Sequence, residues 1–405
     1  MEDIDVPAYF ICPISLVIMK DPVTAITGIT YDRESIEHWL FTANDASCPV
    51  TKQPLTADSD LVPNHTLRRL IQAWCTANAD HGIDRIPTPK SILSISHVLK
   101  LHRQLNSPQL YIHALKTING LVNENEKNRK CMAEAGTARA MVMLIIKFWK
   151  ENRDFGLEEA FRVLHLTWKP SLDNIDMVKE NFDLIESILW IIQSDHKVVK
   201  HFAILVLKII TEVASSILLE RLQDKFFYLI VKMLRDYRTN SEQATKAGVH
   251  VLLNVLPWGR NRIKIVEANG VFELIELDLR HPGKHITELI FCILAELCAC
   301  ADGRAQFLNH AAGIAFVSKR ILRVSPVIDD RAVHILASIA RYSGIEEVVF
   351  EMLSVGAVAK LCMVIQADCD GNLKKNARGI LKLHNNAWST SPCIGDYLFT
   401  KFAGN

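Results

Sequence analysis

The feature that most constrains this chain is a period. Short polar junctions ending at Gly136, Asn181, Asp224, Gly270, Gly313 and Gly356 each precede an apolar helical stretch, and successive junctions lie 45, 43, 46, 43 and 43 residues apart. A further start near Ser91, 45 residues before Gly136, extends the series toward the N-terminus. Three of the glycines share a related lead-in: Asn128-Arg129, Asn261-Arg262 and Gly303-Arg304. A unit of this length holds two or three short helices and cannot bury its apolar face alone, so it must stack on its neighbours. With 405 residues, 49% of them apolar, the chain has the material for one continuous core along such a stack. The period therefore predicts a mostly α chain with a helical solenoid over 92–390, of about seven repeats with the last incomplete. The junction glycines are expected in the left-handed region, where they turn one helix into the next. Leu373 to Trp388, with Lys374, Lys375, Arg378 and Lys382 on one helix, is expected to cap the stack, leaving 391–405 as a tail.

The first 80 residues do not follow the period. They carry two loops, at Cys12-Pro13-Ile14 and Cys48-Pro49-Val50, with an amphipathic pattern from Arg33 to Leu40 between them. Pro22-Val23 and Ile29 to Tyr31 flank Thr27-Gly28 and predict a hairpin. Asp32 is expected to cap the first helix, whose Ile36, Trp39 and Leu40 share a face. Asn64 is expected to cap a second helix with Leu67, Leu70, Ile71 and Trp74 as its apolar stripe. This gives a small α+β domain over 5–79. Residues 80–91 lose apolar periodicity and contain Gly82, Pro87 and Pro89, so they read as a linker, and Thr88-Pro89 within them is a candidate regulatory phosphosite.

Metal and bulk charge are poor explanations of this chain. The ten cysteines lack the spacing of a disulfide framework, and no CxxC or HxxxH pair occurs in the first 80 residues, so a closed zinc site has no ligand pattern there. No metal or cofactor is expected. Lys plus Arg is 46 against 45 for Asp plus Glu, which gives no bulk electrostatic reason to expect nucleic acid or an anionic membrane as partner. The acidic start (Glu2, Asp3, Asp5) lacks the pattern of a secretory leader, and no apolar run approaches the ~20 residues of a membrane span. The cytoplasm is the expected location, with the nucleus and a membrane-peripheral pool left open.

The phrases CPI, MKDPV, GITYDR, IEHWL, CPVTKQPL and LVPNHTLRRLI, together covering nearly all of residues 6–79, resemble a U-box, the zinc-free relative of the RING domain. That resemblance implies a ubiquitin-protein ligase, with a ubiquitin-charged conjugating enzyme, ubiquitin and a protein substrate as partners and no covalent ubiquitin intermediate on this chain. It places Ile14 and Leu16 on the first loop, Trp39 on the central helix and Pro49 on the second loop in the conjugating-enzyme surface. It leaves self-association through the U-box open. Lys52 stands where many such ligases carry an arginine that bridges conjugating enzyme and ubiquitin. Lysine keeps the charge without the planar fork, so full allosteric activation is in question.

The phrases NGVFELIELDL and VGAVAKLCMVI make the repeats resemble armadillo repeats more than HEAT repeats. A U-box followed by an armadillo-type α-solenoid resembles a family of plant ligases, and KDPVTAITGITYDR and IPTPK are similar to its stress- and immunity-linked branch. The helices after each junction are expected to line a substrate groove, with Lys232, Arg235, Glu273, Glu276, Lys319 and Arg320 giving it basic ends and an acidic centre. A non-catalytic armadillo adaptor is the alternative. The Trp-xxx-Asn ladder of import receptors is missing, because Trp168, Trp190 and Trp258 are followed four residues on by Leu172, Ser194 and Arg262.

Overall fold

The computed structural model of the chain describes residues 6–42, 47–55, 61–78, 93–194, 196–236, 241–280 and 283–388. It divides into two compact units, residues 1–92 and 93–405. The expected linker over 80–91, with Thr88, and the tail over 391–405 lie outside the described residues.

In the first unit, a hairpin of β1 (Pro22–Thr24) and β2 (Thr30–Asp32) runs directly into α1 (Arg33–Thr42), and β3 (Val62–Pro63) leads to α2 (His65–Ala77). The sheet order is β2-β1-β3, both pairings antiparallel, with Val23 opposite Tyr31 on one side and Pro63 on the other. Gly28 makes the hairpin turn at φ 78°, a conformation that glycine adopts without a Cβ penalty. Asn64 caps α2 as expected, its side chain accepting the Leu67 N–H at 3.0 Å. The apolar stripe of α2 is narrower than its sequence spacing suggests: Ile71 is buried, Leu67 and Trp74 pack at the core margin, and Leu70 is 52% exposed. Phe10, Met19, Val23, Tyr31, Ile36, Leu55 and Ile71 form the heart of a small core, with Cys12, Cys48 and Cys75 filling its gaps. A core of that size needs additional fastening.

The second unit is helical throughout its described residues. It opens with α3 (Ile95–Leu105), followed by three-helix units built long, short, long. The first comprises α4 (Tyr111–Glu124), α5 (Glu126–Glu134) and α6 (Thr137–Lys150), the second α7 (Leu157–Thr167), α8 (Leu172–Val178) and α9 (Phe182–Gln193). Then come α10 (Lys197–Val213), α11 (Ser216–Glu220) and α12 (Asp224–Arg235), and α13 (Glu242–Val255), α14 (Asn261–Glu267) and α15 (Gly270–Arg280). The last two are α16 (Lys284–Leu297), α17 (Ala301–Leu308) and α18 (Gly313–Arg320), and α19 (Pro326–Tyr342), α20 (Glu346–Ser354) and α21 (Ala357–Gln366). The stack closes on α22 (Gly371–Leu383) and α23 (Asn385–Trp388). No single helix among the described residues is long and apolar enough to cross a membrane.

Equivalent helices stack into two ladders, α4-α7-α10-α13-α16-α19-α22 and α3-α6-α9-α12-α15-α18-α21, with one apolar core between them. Polar ties at one-repeat spacing fasten successive units. Asn261 Nδ2 donates to Leu219 O at 2.9 Å, Gln306 Nε2 to Val266 O at 2.9 Å and Ser338 Oγ to Cys298 O at 2.7 Å. His384 Nε2 lies 2.8 Å from Ala340 O at the C-terminal end.

The junction glycines serve two different ends. Gly136 and Gly356 do sit in the left-handed region, each at φ 77°. Gly270 and Gly313 instead open α15 and α18, and a Cβ there would lie 2.7 Å from Ile265 O and 2.4 Å from Phe307 O. At the Gly270 junction the left-handed residue is Asn269, at φ 67°. Close backbone approach, and not the turn, excludes a side chain at those two positions.

Candidate functional site

The two proline-bearing loops are built alike. In the first, the Cys12 N–H donates to Val17 O at 2.9 Å and the Leu16 N–H returns to Cys12 O at 2.9 Å. In the second, the Cys48 N–H donates to Gln53 O at 2.8 Å and the Lys52 N–H returns to Cys48 O at 2.9 Å. Single bridges close both, Ile11 with Ile18 and Ser47 with Pro54. Leu16 (φ 56°) and Lys52 (φ 57°) occupy the same left-handed position in the two loops. Neither residue type favours that region, so each loop holds it by the two bonds that close it.

Side chains then tie the loops to the hairpin and to α1. Asp32 ends β2, and its Oδ1 accepts the N–H groups of Lys20 (2.7 Å) and Asp21 (2.8 Å), fixing the end of the first loop. This corrects the expected helix cap: that oxygen serves the loop and not α1. Arg33 Nε lies 2.7 Å from Asp21 Oδ2, and Arg68 on α2 reaches Asp21 Oδ1 at 3.8 Å. Both cysteine sulfurs act as acceptors. Cys12 Sγ takes the Asp32 N–H at 3.3 Å, while Cys48 Sγ has the Tyr31 hydroxyl at 2.9 Å and the Thr27 hydroxyl and Thr51 N–H each at 3.4 Å. Burial opposes the Cys48 thiolate, but the hydrogen bonds from Thr27, Thr51 and Tyr31 outweigh it and lower the thiol to about 6. Burial and the neighbouring Cys48 push the Tyr31 phenol upward, which keeps it a donor. Cys48 is completely buried, so this activated sulfur is closed to any thioester exchange.

What the loops present outward is apolar. Leu16 is 75% exposed, and Val17 and Val50, which the sequence reading did not single out, are 57% and 50% exposed. Ile14 and Pro49 are half-buried, as is Trp39. Trp39 also donates its Nε1 to Ser47 O at 3.0 Å, so it fastens α1 to the second loop while leaving part of its ring accessible. Lys52 is exposed on the second loop. Val50 directly follows the Cys48-Pro49 turn, whereas Val17 sits in the apolar run from Ile14 to Met19, where spacing does not separate exposed from buried positions.

The expected groove residues are not arranged as a charged trough. Lys232, Arg235, Glu273, Glu276, Lys319 and Arg320 lie on α12, α15 and α18, the ladder whose helices pack less extensively on one another. The ladder from α4 to α22 packs more closely at every step, which marks it as the inner layer of the stack. Glu273 is buried, its side chain 7% exposed, and is paired with Arg235 at 2.7 Å. Arg320 is held by the buried Asp278, and Glu276 faces Arg280 and His310. Of the six, Lys232 and Lys319 remain exposed on that layer with no ion-pair partner among the described residues, and the acidic centre at Glu273 is corrected to an internal tie between α12 and α15.

Each of the two units matches a known family. The U-box domain family matches residues 6–80, and the plant U-box protein ARM repeat region matches residues 94–403. The chain is 44% identical over 398 residues to the E3 ubiquitin-protein ligase PUB23 of Arabidopsis thaliana, covering 97% of this chain and 96% of that protein. It is 40% identical over 443 residues to PUB24 of the same plant, also an E3 ubiquitin-protein ligase, covering 99% of this chain and 96% of that protein. Among solved structures, that of an engineered protein aligns with a TM-score of 0.53 at 18% identity, over 74% of this chain and 71% of its own, a likeness of fold. The chain belongs to the plant U-box proteins with an ARM repeat region and is a ubiquitin-protein ligase.

Proposed function

We propose that the two braced loops and the exposed part of Trp39 dock a ubiquitin-charged conjugating enzyme, and that the repeats hold the substrate whose lysine receives the ubiquitin. The observation that carries the docking surface is the outward display of Leu16, Val17 and Val50 on loops fixed by polar ties. An apolar patch on a rigid frame suits a transient contact anchored by a few residues. Catalysis is then positional: the charged thioester is held near the acceptor amine, and bond making and breaking occur on the partner enzyme. Lys52, exposed on the second loop, reaches toward the docked pair as a single point charge. The KDPVTAITGITYDR and IPTPK phrases support a role in plant stress or immune signalling.

The test is reconstituted ubiquitination with activating enzyme, conjugating enzyme and ubiquitin. Leu16→Gly is the informative variant, because glycine suits the left-handed backbone at φ 56° and removes the side chain without strain. Chain formation is expected to fall roughly tenfold, the effect of losing a central contact worth about 1.4 kcal/mol, and further in Leu16→Gly/Val50→Ala. Full activity in the double variant would remove the docking assignment.

A further inference from the structure

At the C-terminal end of the inner layer, α19 and α22 enclose a cleft of about 380 Å³ lined by Ala337, Arg341, Lys375, Arg378, Gly379 and Lys382, among others. Four of its lining residues are cationic and none is acidic. Lys375, Arg378 and Lys382 fall at three- and four-residue spacing and so share one face of α22, with Arg341 contributed by α19. None of the four has an ion-pair partner among the described residues. The chain as a whole is balanced, 46 basic side chains against 45 acidic, so this excess is a matter of placement.

Two physical costs single the cleft out. Like charges at this spacing repel, each pair weakening the helix by a few tenths of a kcal/mol, roughly the reverse of an attractive pair. Gly379 sits inside α22, where glycine is about 1 kcal/mol worse than alanine. Packing does not require it, because a Cβ at Gly379 would meet nothing within 4 Å. Its effect is an open floor between the cations, with backbone accessible beneath them.

We infer that this cleft binds a phosphorylated segment of a protein partner, the phosphate lying between Arg341 and Arg378 above Gly379. Guanidinium groups offer paired donors to phosphate oxygens, and Lys375 and Lys382 supply the remaining neutralising charge. A concave site suits a side chain entering it, whereas a membrane surface needs protruding cations. The exposed Leu383 side chain beside the cations gives an apolar contact to a residue flanking the phosphate. The inference deepens the substrate-receptor reading and rests on it. Binding is measured without ubiquitin transfer, so its failure is distinct from failure of the ligase assay.

The probe is a pooled nonapeptide library with a central phosphothreonine and degenerate flanks, applied to the immobilised full chain beside the same library carrying threonine. The phosphorylated pool is expected to be retained roughly tenfold better, as a charge-assisted contact predicts, and to be released as salt rises. Arg341→Gln/Arg378→Gln should abolish the preference. Gly379→Leu leaves every charge in place, favours the helix and fills the floor, and should abolish it equally with no loss of thermal stability. Equal retention of the two pools, or a preference surviving both variants, overturns the proposal. So does Arg341- and Arg378-dependent sedimentation with phosphatidylserine vesicles when the phosphorylated pool is not retained, since the cleft would then serve a membrane.

Discussion

Cys48 shows how a residue for which the sequence offers neither a disulfide nor a metal role can govern its surroundings. Its sulfur gathers Thr27, Tyr31 and Thr51 from three parts of the first unit, and that convergence lowers its thiol to about 6 from an ordinary value of 9.0. Because the folded state holds the thiolate, the group contributes nothing to stability below pH 6, increasingly more from pH 6 to 9, and its full share above 9. Local stability around the second loop should therefore rise across pH 6 to 9. Hydrogen exchange at the Thr51 amide, corrected for intrinsic rate, checks this in the full chain; Cys48→Ala should flatten the rise, and an unchanged slope would remove the role given to the thiolate. That Cys48 lacks metal-ligand spacing was legible in the sequence. Its use as an acceptor was not, because the donors lie up to 21 residues away and meet only in the fold. Asp32 is a similar case. Its position before a helix signals a cap, yet the folded loop brings the Lys20 and Asp21 N–H groups to its oxygen.

At the level of elements, the two loops are one device used twice. Both begin Cys-Pro, both close through the same pair of backbone bonds, and both place a left-handed residue four positions after the cysteine. The repetition was readable in the two Cys-Pro phrases, but the shared backbone was not, since Leu and Lys at those positions give no left-handed signal. The equivalence assigns different work to the pair: Leu16 offers apolar surface and Lys52 offers charge. Since arginine tolerates that backbone no worse than lysine, Lys52→Arg should leave the loop intact and add a planar fork. The rate of ubiquitin discharge from a charged conjugating enzyme should rise several-fold while affinity for that enzyme changes little. A rate that stays at the parental value would show that position 52 does not reach the docked pair. On α2, Asn64 was legible as a cap because its capping acceptor is local, whereas the exposure of Leu70 depends on where the sheet ends and could not be read from spacing.

Over the whole molecule, the period was legible because each unit repeats the same apolar pattern, and α6, α9, α12, α15, α18 and α21 begin at or just after the six junctions. Which layer lies inside was not, since that depends on how closely neighbouring helices approach, and Glu273 was read as surface when it joins α12 to α15. Such internal ties matter because a stack is held by nearest-neighbour interfaces, and one broken interface can divide it. Asp278 is the sharpest case. It is fully buried on α15, receives the Thr287 hydroxyl from α16, and holds Arg320 of α18, whose Nε lies 3.1 Å from Oδ2. Asp278→Ala leaves the partly buried Arg320 guanidinium without its counter-charge and the buried Thr287 hydroxyl without its acceptor, a loss on the order of 3 kcal/mol. The loss falls at a single interface, so the helices from α16 onward should uncouple from those before them. Calorimetry is expected to show a lower transition for the C-terminal part and a second near the parental temperature. Asp278→Asn, which retains an acceptor for Thr287 but not the charge, should show a smaller split, and one unshifted transition in both variants would mean that apolar packing alone couples the units.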